Sequence, residues 1–172
     1  MNKRERVAWR GYIPAITTPF DEDQQVNLRA FSELLTWLEA EGMHGLVIAG
    51  TTGEWTSLSP EERVSLFATA GDTLQGRIPL IAGCTAFTAN EVVDFSQAAD
   101  SSGFEGILVT PPPYIRPSND EIMDFYRDVS TRAALPVCVY NWPPGTGIDM
   151  DIGLLERIAQ LENVVAIKQS TS

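Results

Sequence analysis

The chain has 172 residues, 44% of them hydrophobic and 20% charged, with a net charge of −11. That is enough for one domain with a sizeable core, and the acidic balance argues against a nucleic-acid partner, whose phosphates would repel it. No window approaches the ~20 apolar residues of a membrane span, and the basic first ten residues run into Pro14, Pro19 and Asp21 rather than the apolar stretch of a secretory leader, so no membrane association and a cytoplasmic location are expected.

The first apolar run covers residues 12–17. Asn27 then caps a helical pattern of Leu28, Phe31, Leu34, Leu35 and Leu38 that ends at Gly42. A second run at 45–49 leads to Ser59-Pro60-Glu61-Glu62, a cap, a proline at the first helical position and two acids on the positive end of the dipole. Further runs at 79–83 and 106–110 are followed by Thr88…Glu91 and Ser118…Glu121, both spaced as capping boxes. The run at 136–140 precedes a helical pattern of Ile152, Leu155, Ile158 and Leu161, and the last run is 164–168. None of the six runs alternates apolar with polar, as expected of strands buried on both faces of a parallel sheet. Cys138 falls in one of these apolar stretches and Cys84 directly follows another, and both read as buried, reduced thiols, not as a disulfide framework or a zinc site.

Strand starts recur every 27 to 34 residues, the length of a βα unit. Six such units in residues 1–172 make one domain, either a doubly wound sheet or a (β/α)₈ TIM barrel. The first strand is followed by Thr17-Thr18-Pro19-Phe20 rather than a glycine-rich dinucleotide fingerprint, which favours the barrel.

In parallel α/β folds the chemistry sits at the C-terminal ends of the strands. The second strand ends in Gly50-Thr51-Thr52-Gly53-Glu54, the fourth in Thr110-Pro111-Pro112-Pro113-Tyr114, the fifth in Tyr140-Asn141-Trp142-Pro143 and the sixth in Lys168-Gln169-Ser170. A lysine ending an apolar strand is unusual, and desolvation would favour the neutral amine that attacks a carbonyl. A plainer reading has Lys168 reaching out to water or pairing with a carboxylate. Tyr140 could move protons beside it, or could be a core aromatic. The hydroxyls of Thr51 and Thr52, with Gly50 beside them, suit a carboxylate or could simply make a tight turn; a phosphate site would lack the Gly-Lys-Ser/Thr ending of a P-loop. Glu54 reads as orienting this turn by accepting hydrogen bonds. His44, the single histidine, precedes a strand start, on the wrong rim for catalysis, and no carboxylate cluster suggests a metal.

Together these motifs resemble the dihydrodipicolinate synthase / N-acetylneuraminate lyase family of class I aldolases. The resemblance runs from Pro14 through Thr17-Thr18-Pro19-Phe20, residues 50–54, Tyr114-Ile115-Arg116-Pro117-Ser118 and Tyr140-Asn141-Trp142-Pro143 to Lys168, 28 positions beyond Tyr140. It implies a Schiff base between Lys168 and pyruvate or a related 2-oxo acid, with no separate cofactor and no metal. It also implies proton relay by Tyr140, substrate carboxylate binding and relay extension by Thr51 and Thr52, and a Tyr114 that reaches a neighbouring subunit's site in a homo-oligomer, a dimer or tetramer. Gly145 stands where the synthases carry an arginine for the second substrate, and Trp142 and Trp55 replace smaller residues. Gly145 favours a 2-oxo-acid aldolase over dihydrodipicolinate synthase, the two tryptophans could reshape the pocket or pack against helices, and a 2-oxo-3-deoxy sugar acid dehydratase is a further alternative. The family barrel needs two more βα units after the sixth strand, roughly 60 residues, so a barrel truncated after strand 6 is expected. An inactive fragment that only binds a 2-oxo acid or assembles with partners is the non-catalytic alternative.

Overall fold

The computed structural model describes residues 7–170. Helix and strand alternate through α1 (Leu28–Ala40), β1 (Leu46–Ile48), α2 (Pro60–Leu74), β2 (Leu80–Gly83), α3 (Ala89–Ser101), β3 (Gly106–Val109), α4 (Asn119–Arg132), β4 (Val137–Asn141), α5 (Pro143–Thr146), α6 (Ile152–Ala159) and β5 (Val164–Gln169). The helices start where the caps predict. Asn27 accepts from the Ala30 N–H, and Ser59, Thr88 and Ser118 each form a full capping box with the glutamate three residues on.

The strands are all parallel and lie in the order β1-β2-β3-β4-β5. A doubly wound sheet reverses its strand order at a switch point; this one never does, which is barrel winding, and the fold is the N-terminal portion of a (β/α)₈ barrel. The predicted first strand is shorter than its apolar run. Only Ala15 bridges to Val47 in parallel, through Ile16 N–H to Val47 O (3.1 Å) and Val47 N–H to Pro14 O (2.9 Å). Pro14 has no N–H to extend the ladder, and Tyr12 exchanges hydrogen bonds with His44 instead. His44 is thereby occupied structurally.

Alternation along the strands makes two apolar layers. Leu46, Ile48, Leu80, Ala82, Ile107, Val109, Val137, Val139 and Val164 face the helices, where Phe31, Leu35, Leu66, Phe67, Tyr126 and Ile158 cover them. Val47, Ile81, Leu108, Cys138 and Tyr140 face the other way and form a smaller inner cluster with Ala15, Trp142 and Ala166. The helical stripe of α6 is corrected by one residue: Leu154 is buried, whereas Ile152, first after the Asp151 cap, is 76% exposed.

Candidate active site

Strand register brings two of the expected residues together. β4 and β5 pair Cys138 with Ala166 and Tyr140 with Lys168. Because alternate residues share a face, Lys168 points to the same inner side as Tyr140. Its Nζ lies 4.1 Å from the centroid of the Tyr140 ring. The ring is 6% exposed, and Lys168 is half-buried. An ammonium over a phenol face is a favourable cation–π contact, and it holds the Lys168 amine against the Tyr140 ring. Tyr140 also stacks on Trp142, with centroids 5.9 Å apart and planes 10° from parallel.

Asn141, quoted in the motif but given no role from sequence, fastens this corner. Its Nδ2 donates to Met150 O (3.1 Å), Gln169 Oε1 (3.1 Å) and Asp149 Oδ1 (3.3 Å), while its Oδ1 accepts from Met150 N–H (3.1 Å). Its backbone carbonyl accepts from Ser170 N–H at 3.0 Å. A side chain 1% exposed thus ties the residues flanking Tyr140 to those flanking Lys168.

Thr51 and Thr52 lie on the same C-terminal rim, three strands away, at the exit of β1, and both are exposed. Backbone proximity fixes their turn. A Cβ on Gly83 would lie 2.3 Å from Ala49 O and 2.7 Å from Gly50 N, and one on Gly53 would lie 3.0 Å from Ala49 Cα. Gly50 itself has room for a methyl group, 3.5 Å from Val47 Cγ1, so the glycines that the turn requires sterically are its neighbours. The buried Thr18 hydroxyl donates to Gly53 O at 2.7 Å. Glu54 organises the turn through its backbone, in the left-handed region at φ 57°, with its N–H on Thr51 O and its carbonyl accepting from Ser57; its side chain makes no cap bond. That corrects the carboxylate role expected of it.

Arg63 was missed, although a charge on the apolar stripe of α2, shared with Leu66, Phe67, Ala70 and Leu74, is the signal that could have found it. It is 3% exposed and clamps the end of β2, donating to Thr85 O (3.1 Å) and to Gly83 O. Its guanidinium lies 3.9 Å from the Phe95 centroid and 5.3 Å from that of Trp55. Burial lowers its pKa, with Cys84 and Glu91 opposing the shift. Burial likewise pushes the Cys84 thiol up to about 12, against a lowering by Arg63, and the Cys138 thiol up to about 12, against a lowering by Lys168. Both thiols are free and buried.

Tyr114 is not part of the Tyr140–Lys168 pair. It is 93% exposed on the loop after β3, with a positive φ of 75°. Arg116 from the same loop lies against Gly147, at the outer end of α5. Among the described residues no cluster of three or more His, Cys, Asp or Glu could hold a metal ion, and no helix is long and apolar enough to cross a membrane.

The family model described as the dihydrodipicolinate synthetase family matches residues 8–172. The 4-hydroxy-tetrahydrodipicolinate synthase of Oceanobacillus iheyensis is 33% identical over 159 residues, 92% of this chain and 54% of that protein. Among solved structures, the dihydrodipicolinate synthase of Acinetobacter baumannii complexed with pyruvate superposes with a TM-score of 0.90 at 32% identity, over 94% of this chain and 55% of that one. YagE of E. coli, a prophage protein of the same family in complex with pyruvate, gives 0.91 at 30% identity, over 96% and 56%. The chain spans about half the length of the relatives it matches. With strand order, register and rim motifs agreeing along nearly its whole length, this chain belongs to the dihydrodipicolinate synthetase family.

Proposed function

We propose that this chain carries the imine-forming site of a lyase that makes or breaks a carbon–carbon bond in a pyruvate-derived 2-oxo acid. The observation that carries the reading is the Lys168 amine held on the face of Tyr140, on the inner side of the barrel at the C-terminal ends of β4 and β5. Two relatives of this fold bind pyruvate.

The Lys168 amine adds to the keto carbon, and loss of water gives an iminium. The positive nitrogen draws electrons, so the Tyr140 oxygen, having given its proton to the departing hydroxide, takes one from C3, and the C–H pair becomes the enamine double bond. C3 then attacks an aldehyde carbon. The carbonyl π pair becomes an alkoxide, which takes a proton from the Tyr140 hydroxyl, and water hydrolyses the imine to free Lys168. The sequence is redox-neutral and runs in reverse as cleavage, with no cofactor beyond the lysine itself. Thr51 and Thr52, backed by Gly50, would bind the substrate carboxylate, and Thr52 would extend the proton path. Tyr114, fully exposed, would complete the site of a neighbouring copy in a cytoplasmic homo-oligomer.

The synthase reading stands second, supported by the names of the relatives; Gly145 counts against it, since a Cβ there would lie 1.9 Å from a Trp142 ring carbon. Pyruvate followed by borohydride tests the main reading. A reduced pyruvyl adduct mapped to Lys168, absent in Lys168→Ala, is expected; a folded full-length protein that gives no adduct overturns it.

A further inference from the structure

We infer that the aldehyde partner of the imine is bound against Trp142, and that it carries a flat, apolar group rather than a string of hydroxyls or a second carboxylate. The inference rests on the imine reading above and names the substrate class of the same site.

Position along the strand comes first. Side chains on one face of a strand are two residues apart, about 7 Å. Tyr140 is level with Lys168 in the register, so Trp142, in the same inner cluster, stands one step nearer the mouth. In the enamine the attacking carbon lies two bonds beyond Nζ, and the partner's carbonyl carbon meets it at about 3–3.5 Å. The rest of the partner therefore occupies the level of Trp142.

The indole at that level is held in place from several directions. Pro143 and Pro144 fix φ on the residues that follow it. The Trp142 carbonyl accepts from Gly145 N–H (3.1 Å), Thr146 N–H (3.1 Å) and Thr146 Oγ1 (3.1 Å). Its ring stacks on Tyr140 on one hand and meets Gly145 on the other so closely that any side chain at 145 would displace it. A rigid aromatic surface costs a ligand little ordering on either side and favours apolar, planar contact.

The rest of the rim has the same character. Trp55 and Phe87 lie together, with centroids 6.3 Å apart, on the loops after β1 and β2. Phe87 (56%) and Ile115 (53%) are exposed on the loops after β2 and β3. The opposing feature is Arg116, exposed at the outer end of α5, which is where a carboxylate-bearing aldehyde would go.

The test uses the full natural protein, pyruvate, and three aldehydes measured separately: benzaldehyde, glyceraldehyde and succinic semialdehyde. The expected result is a kcat/KM for benzaldehyde about tenfold above the other two. Trp142→Ala and Gly145→Ala should bring that ratio close to one, and Trp142→Phe should keep most of it. Each ratio is taken within one preparation, so partial unfolding of a variant cancels. A preference for glyceraldehyde or succinic semialdehyde overturns the inference, as does a ratio unmoved by Trp142→Ala. A pyruvyl adduct on Lys168 without the benzaldehyde preference sinks this inference alone; failure to form the adduct removes the imine reading and this inference with it.

Discussion

The two halves of the rim are built by different means. At the β4–β5 corner, ladder register places the Lys168 amine on the Tyr140 ring, and a buried amide locks the strands. At the β1–β2 corner the threonines project into solvent, and what is fixed is the backbone beneath them, by glycines too close to tolerate a Cβ and by a buried guanidinium that bonds two carbonyls. The first corner is specified by which side chains are present. The second is specified mostly by which are absent. The contrast suits the proposed chemistry, in which one side must aim a nucleophile and the other must offer hydroxyls and backbone to a small anion.

The largest expected effect breaks the second corner. Gly83→Ala drives a methyl into Ala49 O and Gly50 N, where backbone rather than a flexible side chain must yield. Overpacking of this kind costs about 3 kcal/mol, to be read from the urea midpoint of the natural protein. Because the Thr51-Thr52 turn has to move, the KM for pyruvate should rise as well. A variant of unchanged stability would mean that the turn is not wedged on β2.

The matching lesion at the first corner is Asn141→Ala. It strips partners from Met150 N–H and Met150 O in a buried place, at about 2 kcal/mol. It should also slow borohydride trapping at Lys168, since the strand ends are no longer tied. Asn141→Asp keeps the acceptor for Met150 N–H but sets a buried carboxylate beside Asp149 and against Met150 O, so at neutral pH it should be destabilised at least as much as Asn141→Ala.

Arg63→Met should cost less, about 1 kcal/mol. Two carbonyls lose a donor, but the methionine stem still packs against Phe95 and a desolvated charge is removed. A loss as large as that of Gly83→Ala would place the clamp, not the close backbone approach, at the root of the second corner.

What sequence could reveal follows the same division. Strands and caps were legible because each rests on residue type at a fixed spacing, and Tyr140 and Lys168 stood out as the ends of neighbouring strands whose separation matches the family pattern. Capping boxes have a three-residue rule, and a lysine that ends an apolar run announces itself. The short first strand was not legible, because Tyr12 and His44 satisfy each other across the chain at a place where Pro14 cannot donate. The work of Gly83 was hidden too, since a glycine at a strand end reads as ordinary until the neighbouring turn is seen pressed on it. Glu54 misled for a related reason: its charge drew attention, while its left-handed backbone does the turning. Asn141 stood in plain view in the motif, but its partners, Met150 and Gln169, lie 9 and 28 positions away.

The two cysteines report on the two corners separately. Cys84 stands just past β2, fully buried on the helix side and lowered by Arg63; Cys138 lies on the inner face of β4, 8% exposed and lowered by Lys168. Burial lifts each thiol from an ordinary 9.0 to about 12. A folded pKa above the unfolded one means that the thiol's contribution is intact below about pH 9 and is lost as pH rises toward about 12, because the unfolded chain ionises first. The urea midpoint should therefore be flat near neutrality and fall above pH 9. Labelling with iodoacetamide at pH 9, mapped by peptide, should reach Cys138 before Cys84, since only the first has any exposed surface. Lys168→Met should slow Cys138 and leave Cys84 alone; Arg63→Met should do the reverse. If both cysteines instead label at one common rate, set by global unfolding and indifferent to either substitution, then the two corners open together and the distinction drawn between them is one of construction only, without a separate stability for each.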